Sequence, residues 1–473
     1  MRDLRRSLAL VLGVLWGGCL SSLPLRAQST AIVHATVIPM DVERVLRDQT
    51  VIVRDGKIVA MGPSSVVKVP DGALRVDARG RYLMPALCDM HVHLLSEAWN
   101  MMLPADGRYA GKDIPFEGFL LPYLANGITT VQVLAATPED IRLRGQIARG
   151  EVLGPRLILA RLIDGPKKAW PPPLSTWVAT AAEAREAVRQ AKDEGYDKIK
   201  VYSFLNQESY DAIVATAREL GMDVIGHVPM SLSVEYVLDA GQKMIAHTEE
   251  IAKHAGGRYD AASIDYFASQ IAEHGVWMIA TLVATGTILR FFDAPDSLLA
   301  GPDAVYFRHP MQLGVWSFEA TNLYAPIPPE TRNRLREDFE RFQRPLTKAF
   351  YDRGGKLLAG SDAMMIGLLP GFSLQKELQE LVGVGLTPFQ ALRTATANPF
   401  EYLGESERAG TIAVGKQSDL LLLEENPLAD VSNASQVAGL LIRGRWIGGD
   451  EIQEKMRELA ASFGTSSAPR STP

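Results

Sequence analysis

Residues 85–94 read PALCDMHVHL, and two of the chain's eight histidines, His91 and His93, stand one residue apart at the end of this apolar run. Side chains alternate along a strand, so both imidazoles point the same way. Alone, the pair is weak evidence of a metal site and reads more readily as two polar surface residues. Its meaning depends on what recurs downstream.

Seven further short apolar runs follow Leu83–Met90: Ile128–Leu134, Arg156–Ala160, Lys198–Tyr202, Asp223–Val228, Lys243–His247, Val276–Leu282 and Lys356–Ala359. Amphipathic segments such as AAEAREAVRQAKDEG (181–195) and QESYDAIVATARELG (207–221) lie between most of them. Strands that are apolar throughout, alternating with helices, imply a parallel sheet covered outside. Eight such units are the count of a closed (β/α)8 barrel, so the predicted class is α/β. Both flanks are β-rich instead. AIVHATVIPM (31–40) and TVIVRDGKIVAMG (50–62), with a hairpin signal at Asp55-Gly56, match GTIAVGKQSDLLLLEENPLAD (410–430) and QVAGLLIRGRWIGG (436–449) in character. The expected organisation is a leader over 1–27, a β-sandwich part over 28–82, the barrel over 83–405, the second sandwich part over 406–450, and a tail from 451.

The length of 473 residues and 47% hydrophobic content fit a large core of this kind. Arg2, Arg5 and Arg6, the apolar run Ser7–Leu20 and Leu25-Arg26-Ala27 read as a cleavable secretory signal, placing the protein outside the cell or in the periplasm. The run is too short to span a membrane. Lipid anchoring at Cys19 is disfavoured by Trp16, which stands where a small aliphatic residue belongs. Cleavage after Ala27 removes Arg2, Asp3, Arg5, Arg6 and Arg26, leaving 45 basic against 54 acidic residues, a balance of −9. With no basic block, nucleic acid is not an expected partner, whereas a small-molecule substrate is. A homo-oligomer is compatible with the composition. Of two cysteines only Cys88 survives cleavage, so no intrachain disulfide supports the fold. Its parity opposite to His91 predicts a buried structural thiol facing the outer helices.

The remaining strand ends change the weight of the histidine pair. His227 ends DVIGHVP, His247 ends KMIAHTEE and Asp362 follows KLLAGSDA. In a barrel all carboxyl termini share one mouth, so four imidazoles and a carboxylate converge. That donor set suits a borderline divalent ion such as zinc. Lys200 in DKIKVYS faces the same interior, and either snorkels, pairs with Glu249, or serves the site. Lys198 shares that face nearer the strand's start. Tyr202 is a candidate for substrate binding, through a carboxylate or an oxyanion, with wall packing as the plain reading. Glu249 and Glu250 either orient histidines or merely start a helix. AWPPPLSTW (169–177) and the aromatic connection from Val283 to Pro329 are substrate walls or packed insertions. His34, His254, His274 and His309 lack strand-end placement, although His309 lies where it could touch substrate. Asn398-Pro399 most simply ends a helix.

These pieces together resemble the amidohydrolase superfamily, in its imidazolonepropionase-like and Xaa-Pro dipeptidase-like branch. The matching residues are His91-Val92-His93, Lys200, His227, His247, Asp362, Thr396-Ala397-Asn398-Pro399 and Gly410-Thr411-Ile412 through Asp419-Leu420. The resemblance implies a hydrolase with two divalent metal ions, zinc being the expected one, bridged by a carboxylated Lys200. His91, His93, Lys200 and Asp362 would hold one ion, and His227, His247 and Lys200 the other. It further implies attack by metal-bound hydroxide on an amide or peptide C–N bond of a dipeptide, N-acyl amino acid or cyclic amide, with catalytic Asp362 as general base and acid. An esterase, lactonase or phosphotriesterase on the same site, or a metal-retaining binding protein, are the rival readings. Ala86 and Ala246 depart from the usual glycine and glutamate and touch only the surroundings of the site.

Overall fold

A computed structural model describes residues 29–94, 116–166, 170–299, 302–307 and 310–463. The leader with Cys19, His309 and the end of the tail lie outside them. The first strands are β1 (Thr30–Val37), β2 (Leu46–Arg54), β3 (Lys57–Pro63), β4 (Leu74–Asp77) and β5 (Tyr82–Pro85). The barrel strands are β6 (Leu87–Val92), β7 (Ile128–Val133), β8 (Arg156–Asp164), β10 (Lys198–Val201), β11 (Asp223–Gly226), β12 (Met244–Ala246), β13 (Trp277–Ile279) and β14 (Lys356–Leu358), with the short β9 (Thr176–Trp177) on the edge of β8. The last strands are β15 (Leu420–Leu423), β16 (Val437–Ile442) and β17 (Arg445–Gly448).

The eight barrel strands run parallel in chain order, and the cylinder closes between its last and first members. Met90 N donates to Ala359 O at 2.9 Å, and Asp362 N to His91 O at 2.8 Å. Cys88, Met90, Ile225, Met244, Ala246, Trp277, Ile279 and Leu358 fill the inside. Their strand neighbours Leu87, Val224, Ile245, Met278 and Leu357 pack outward against the helices. Helix Ala181–Glu194 shows how the sequence sets that layer. Thr180 caps its start by accepting from Glu183 N, Gly195 ends it at a left-handed φ of 93°, and Ala184, Ala187, Val188 and Ala191 form the buried stripe.

The β-rich flanks join in one eight-stranded mixed sheet ordered β17-β16-β15-β5-β1-β2-β3, with β4 beside β1. The hairpin at Asp55-Gly56 forms, with φ of 51° and 70° matching the twist of paired strands. The two ends of the chain meet where β5 pairs with β15, Met84 opposite Leu421.

Four expectations need correction. The run Leu83–Met90 is two strands, since Tyr82–Pro85 belongs to the mixed sheet and only Leu87–Val92 to the barrel. Cys88 faces the barrel interior, because register shifts in β6, one of them between Asp89 and Val92, reset the alternation. It is buried all the same, and burial pushes its thiol up to about 12. Asn398-Pro399 stands inside the start of helix Ala397–Tyr402, where a missing N–H costs nothing. The stretch from 451 is helical as far as Ser462, with Ile452, Met456 and Leu459 docking on the core. Among the described residues no helix is long and apolar enough to cross a membrane.

Candidate active site

The mouth of the barrel gathers every residue singled out from the strand ends. His91 is fully buried, and Lys200 and His227 nearly so. His91 Nε2 lies 3.2 Å from Asp362 Oδ1, and His93 Nε2 lies 3.0 Å from the same oxygen. The ring of His91 is 4.6 Å from that of His247, which in turn is 5.1 Å from that of His227. Ligand atoms of His91, His247 and Asp362 all lie within 4.8 Å of one another. His93, Lys200, Tyr202, His227, His247 and Asp362 line one cavity, closed on another side by Trp170 and Leu174.

Strained backbone places two of these groups. Ala246 faces inward, so plain alternation would turn His247 outward; a φ of 74° at His247 brings its ring into the mouth instead. Asp362 has a φ of 57°, and Thr281, at the end of β13, one of 48°. Such conformations cost roughly 1–3 kcal/mol each in non-glycine residues and persist where surrounding structure enforces them.

Hydrogen bonds fix the imidazole tautomers. Thr281 Oγ1 donates to Ala280 O at 2.7 Å, so it accepts from His247 Nδ1 at 2.6 Å. Glu250 accepts from His227 Nδ1 at 3.0 Å, from Lys253 at 2.6 Å and from Val228 N at 3.2 Å. Both rings therefore present an unprotonated Nε2, and that of His227 is buried without a hydrogen-bond partner. Burial holds the His227 imidazole down to about 4 and that of His91 well below its usual range, so both are neutral at pH 7. Burial alone would raise Asp362, but its bond from His93 and the electrostatic pull of His247, His93 and Lys200 outweigh this and keep it below the usual range. Burial brings Lys200 down to about 8. Lys200 makes no ion pair among the described residues, while Glu249 pairs with Lys253 at 3.1 Å. Lys198 sits apart, bound to Asp223 at the start of its strand.

The Tyr202 ring lies 4.0 Å from that of His227, tilted by 33°, and its oxygen accepts a hydrogen bond from Trp170 Nε1 at 3.1 Å, which leaves its own O–H free to donate into the cavity. Trp170 and Leu174 make the proline-rich connection a wall of the site. The long aromatic connection is largely helical and packs Phe291 and Trp316 on Ile366 and Leu369. His34 and His274 form ordinary surface pairs with Asp48 and Asp239.

Asp89 escaped the sequence reading. It is fully buried and accepts from Ser361 N at 2.9 Å and Ser361 Oγ at 2.6 Å, tying the segment that carries Asp362 to the strand that carries His91. Burial pushes its carboxyl up to about 7. Its only sequence signal is an acid inside an apolar strand, which is expensive without partners.

The sequence pattern of the Amidohydrolase family matches residues 82–447. The chain belongs to the amidohydrolase family. Members of this family are hydrolases acting on C–N bonds, and so is this chain. This amidohydrolase is 25% identical to a 5-methylthioadenosine/S-adenosylhomocysteine deaminase of Symbiobacterium thermophilum, over 82% of this chain and 84% of that one. It is 24% identical to an imidazolonepropionase of Desulfotalea psychrophila, over 83% and 90%. In fold it resembles a Xaa-Pro dipeptidase with bound methionine in the active site (TM-score 0.68, 20% identity, 89% of this chain and 100% of that one). It resembles a bottromycin amidohydrolase equally (TM-score 0.68, 22% identity, 92% and 91%).

Gly226, one residue before His227, is locked by its surroundings. Its φ is 120°, and an added Cβ would meet Val201 O at 2.4 Å and Lys200 Cγ at 2.9 Å. Gly226→Ala is expected to destabilise the protein by about 2–4 kcal/mol in urea unfolding, because neither backbone nor neighbour can yield.

Proposed function

We propose that this chain is an exported, metal-dependent hydrolase of small amides: a dipeptide, an N-acyl amino acid or a cyclic amide. The observation that carries the reading is the meeting of the Asp362 carboxylate with the imidazoles of His91, His93 and His247 at the strand ends. Family membership supports the C–N bond, and the basic, apolar first residues support export.

The residues fit a metal. Buried, deprotonated Nε2 atoms beside an anionic carboxylate are donors lacking a positive partner. His91, His93, Lys200 and Asp362 would hold one divalent ion, and His227, His247 and Lys200 a second, zinc being the ion this donor set suits. For Lys200 to serve both it must carry a carbamate, and an amine depressed to about 8 supplies the neutral form that adds carbon dioxide near neutral pH. The ions would polarise the scissile carbonyl and make water nucleophilic near pH 7. Asp362 receives the proton from the attacking water and returns it to the leaving amine. The Tyr202 O–H, oriented by Trp170, donates to a substrate carboxylate or to the oxyanion.

The test is a screen of metal-loaded mature protein against dipeptides, N-acyl amino acids and cyclic amides, with esters, lactones and phosphotriesters alongside. Turnover of at least one amide class above every ester control is the expected result. A preference for phosphotriesters by orders of magnitude would overturn it.

A further inference from the structure

Helix Pro310–Glu319, within the connection after β13, is fastened to the catalytic segment. Trp316 Nε1 donates to Met364 O at 2.9 Å, two residues beyond Asp362, and Trp316 packs on Ile366 and Leu369. Glu319 follows Trp316 by one turn on the same side. It is fully buried, and neither carboxylate oxygen has a hydrogen-bond partner. Seven residues earlier on that face, Gln312 is fully buried too, with both amide atoms unpartnered. An unsatisfied buried polar group costs about 1–3 kcal/mol, so two on one helix face are a surface missing something.

The chemistry of the missing group follows from the acceptor. Burial, and after it the charge of Asp362, raises the Glu319 carboxyl well above its usual range, and an ammonium or guanidinium is the partner that returns such an acid to its ionised form. Aromatic faces stand beside it. Tyr324, in the π-helical turn Ala320–Tyr324 that follows Glu319, lies 6.1 Å from Phe291 and 6.4 Å from Phe292, ring to ring. Burial raises the Tyr324 hydroxyl, and the charges of Glu319, Asp362 and Glu249 add to it, so this ring lies within electrostatic reach of all three acids. Aromatic rings among carboxylates favour cations.

We propose that Glu319 is a specificity-determining residue that receives a cationic group, an amine or guanidine, on the substrate. The assignment rests on the C–N hydrolase reading and narrows its substrate class. The experiment compares Ala-Lys with Ala-norleucine, and Ala-norleucine with its N-acetyl form, on metal-loaded wild type and Glu319→Gln. The first pair isolates a side-chain cation and the second the α-ammonium. Wild type should favour the charged member of one pair at least about ten-fold in kcat/KM, and the variant should bring that ratio to about one. Binding of free lysine against norleucine, and of norleucine against N-acetylnorleucine, followed by calorimetry, should show the same change without turnover. A wild type that treats both pairs alike, or a variant that keeps the ratio, overturns the assignment while C–N hydrolysis stands. If only esters or phosphotriesters are cleaved, the functional reading fails, and the calorimetric ratio alone decides Glu319.

Discussion

Asp362→Asn lowers kcat by about 10²–10⁴-fold while the protein keeps its metal. Asparagine preserves the shape of the side chain and one carbonyl oxygen for His93, which now sits 3.0 Å away. It removes the capacity to take a proton. Wild-type Asp362 is suited to that task because its neighbours hold it ionised despite burial. Steady-state rates and elemental analysis of the same preparation check the result. An unchanged rate would remove Asp362 from proton transfer, whereas no turnover by wild type or variant, with metal retained in both, would leave the binding-protein rival.

Lys200→Met separates function from stability. Lys200 is 2% exposed and has no ion pair among the described residues, so its ammonium is buried at a cost. Methionine has similar length and no charge, and the metal-free variant should gain about 1–3 kcal/mol in urea unfolding. Turnover should fall by about 10³-fold or more, because the proposed site loses the arm that would join its two ions. Metal content should drop from two ions per chain to one or none. A variant that retains two ions and a rate within about ten-fold of wild type would remove Lys200 from the site.

Much of this architecture was readable before any coordinates. All eight apolar runs overlap barrel strands, the first only from Leu87 onward, because near-continuous apolarity reports burial on both faces. His91, His93, Lys200, His227, His247 and Asp362 were legible because strand ends of a barrel converge whatever the loops do. What lacked a signal depends on backbone turns and cross-chain pairing. The register shifts in β6 turn Cys88 inward, and no residue type announces them. The left-handed φ at His247 overrides alternation and sits on a residue that rarely adopts it. Asp89, Ser361 and Thr281 matter through partners distant in sequence. Glu319 lies on a helix whose neighbours come from the segment after Asp362, far along the chain.

The seam between β5 and β15 bears on how the molecule is born. Arg81 and Glu424, separated by 343 residues, meet across it at 2.8 Å. During synthesis the amino-terminal half of that sheet waits for its other half until nearly the entire polypeptide has been made. Contacts this remote assemble slowly, and an unmated β5 offers a bare apolar edge in the meantime. A nascent chain therefore needs shelter until its last strands arrive, and β6, which leaves the seam directly, begins beside an unfinished sheet until then.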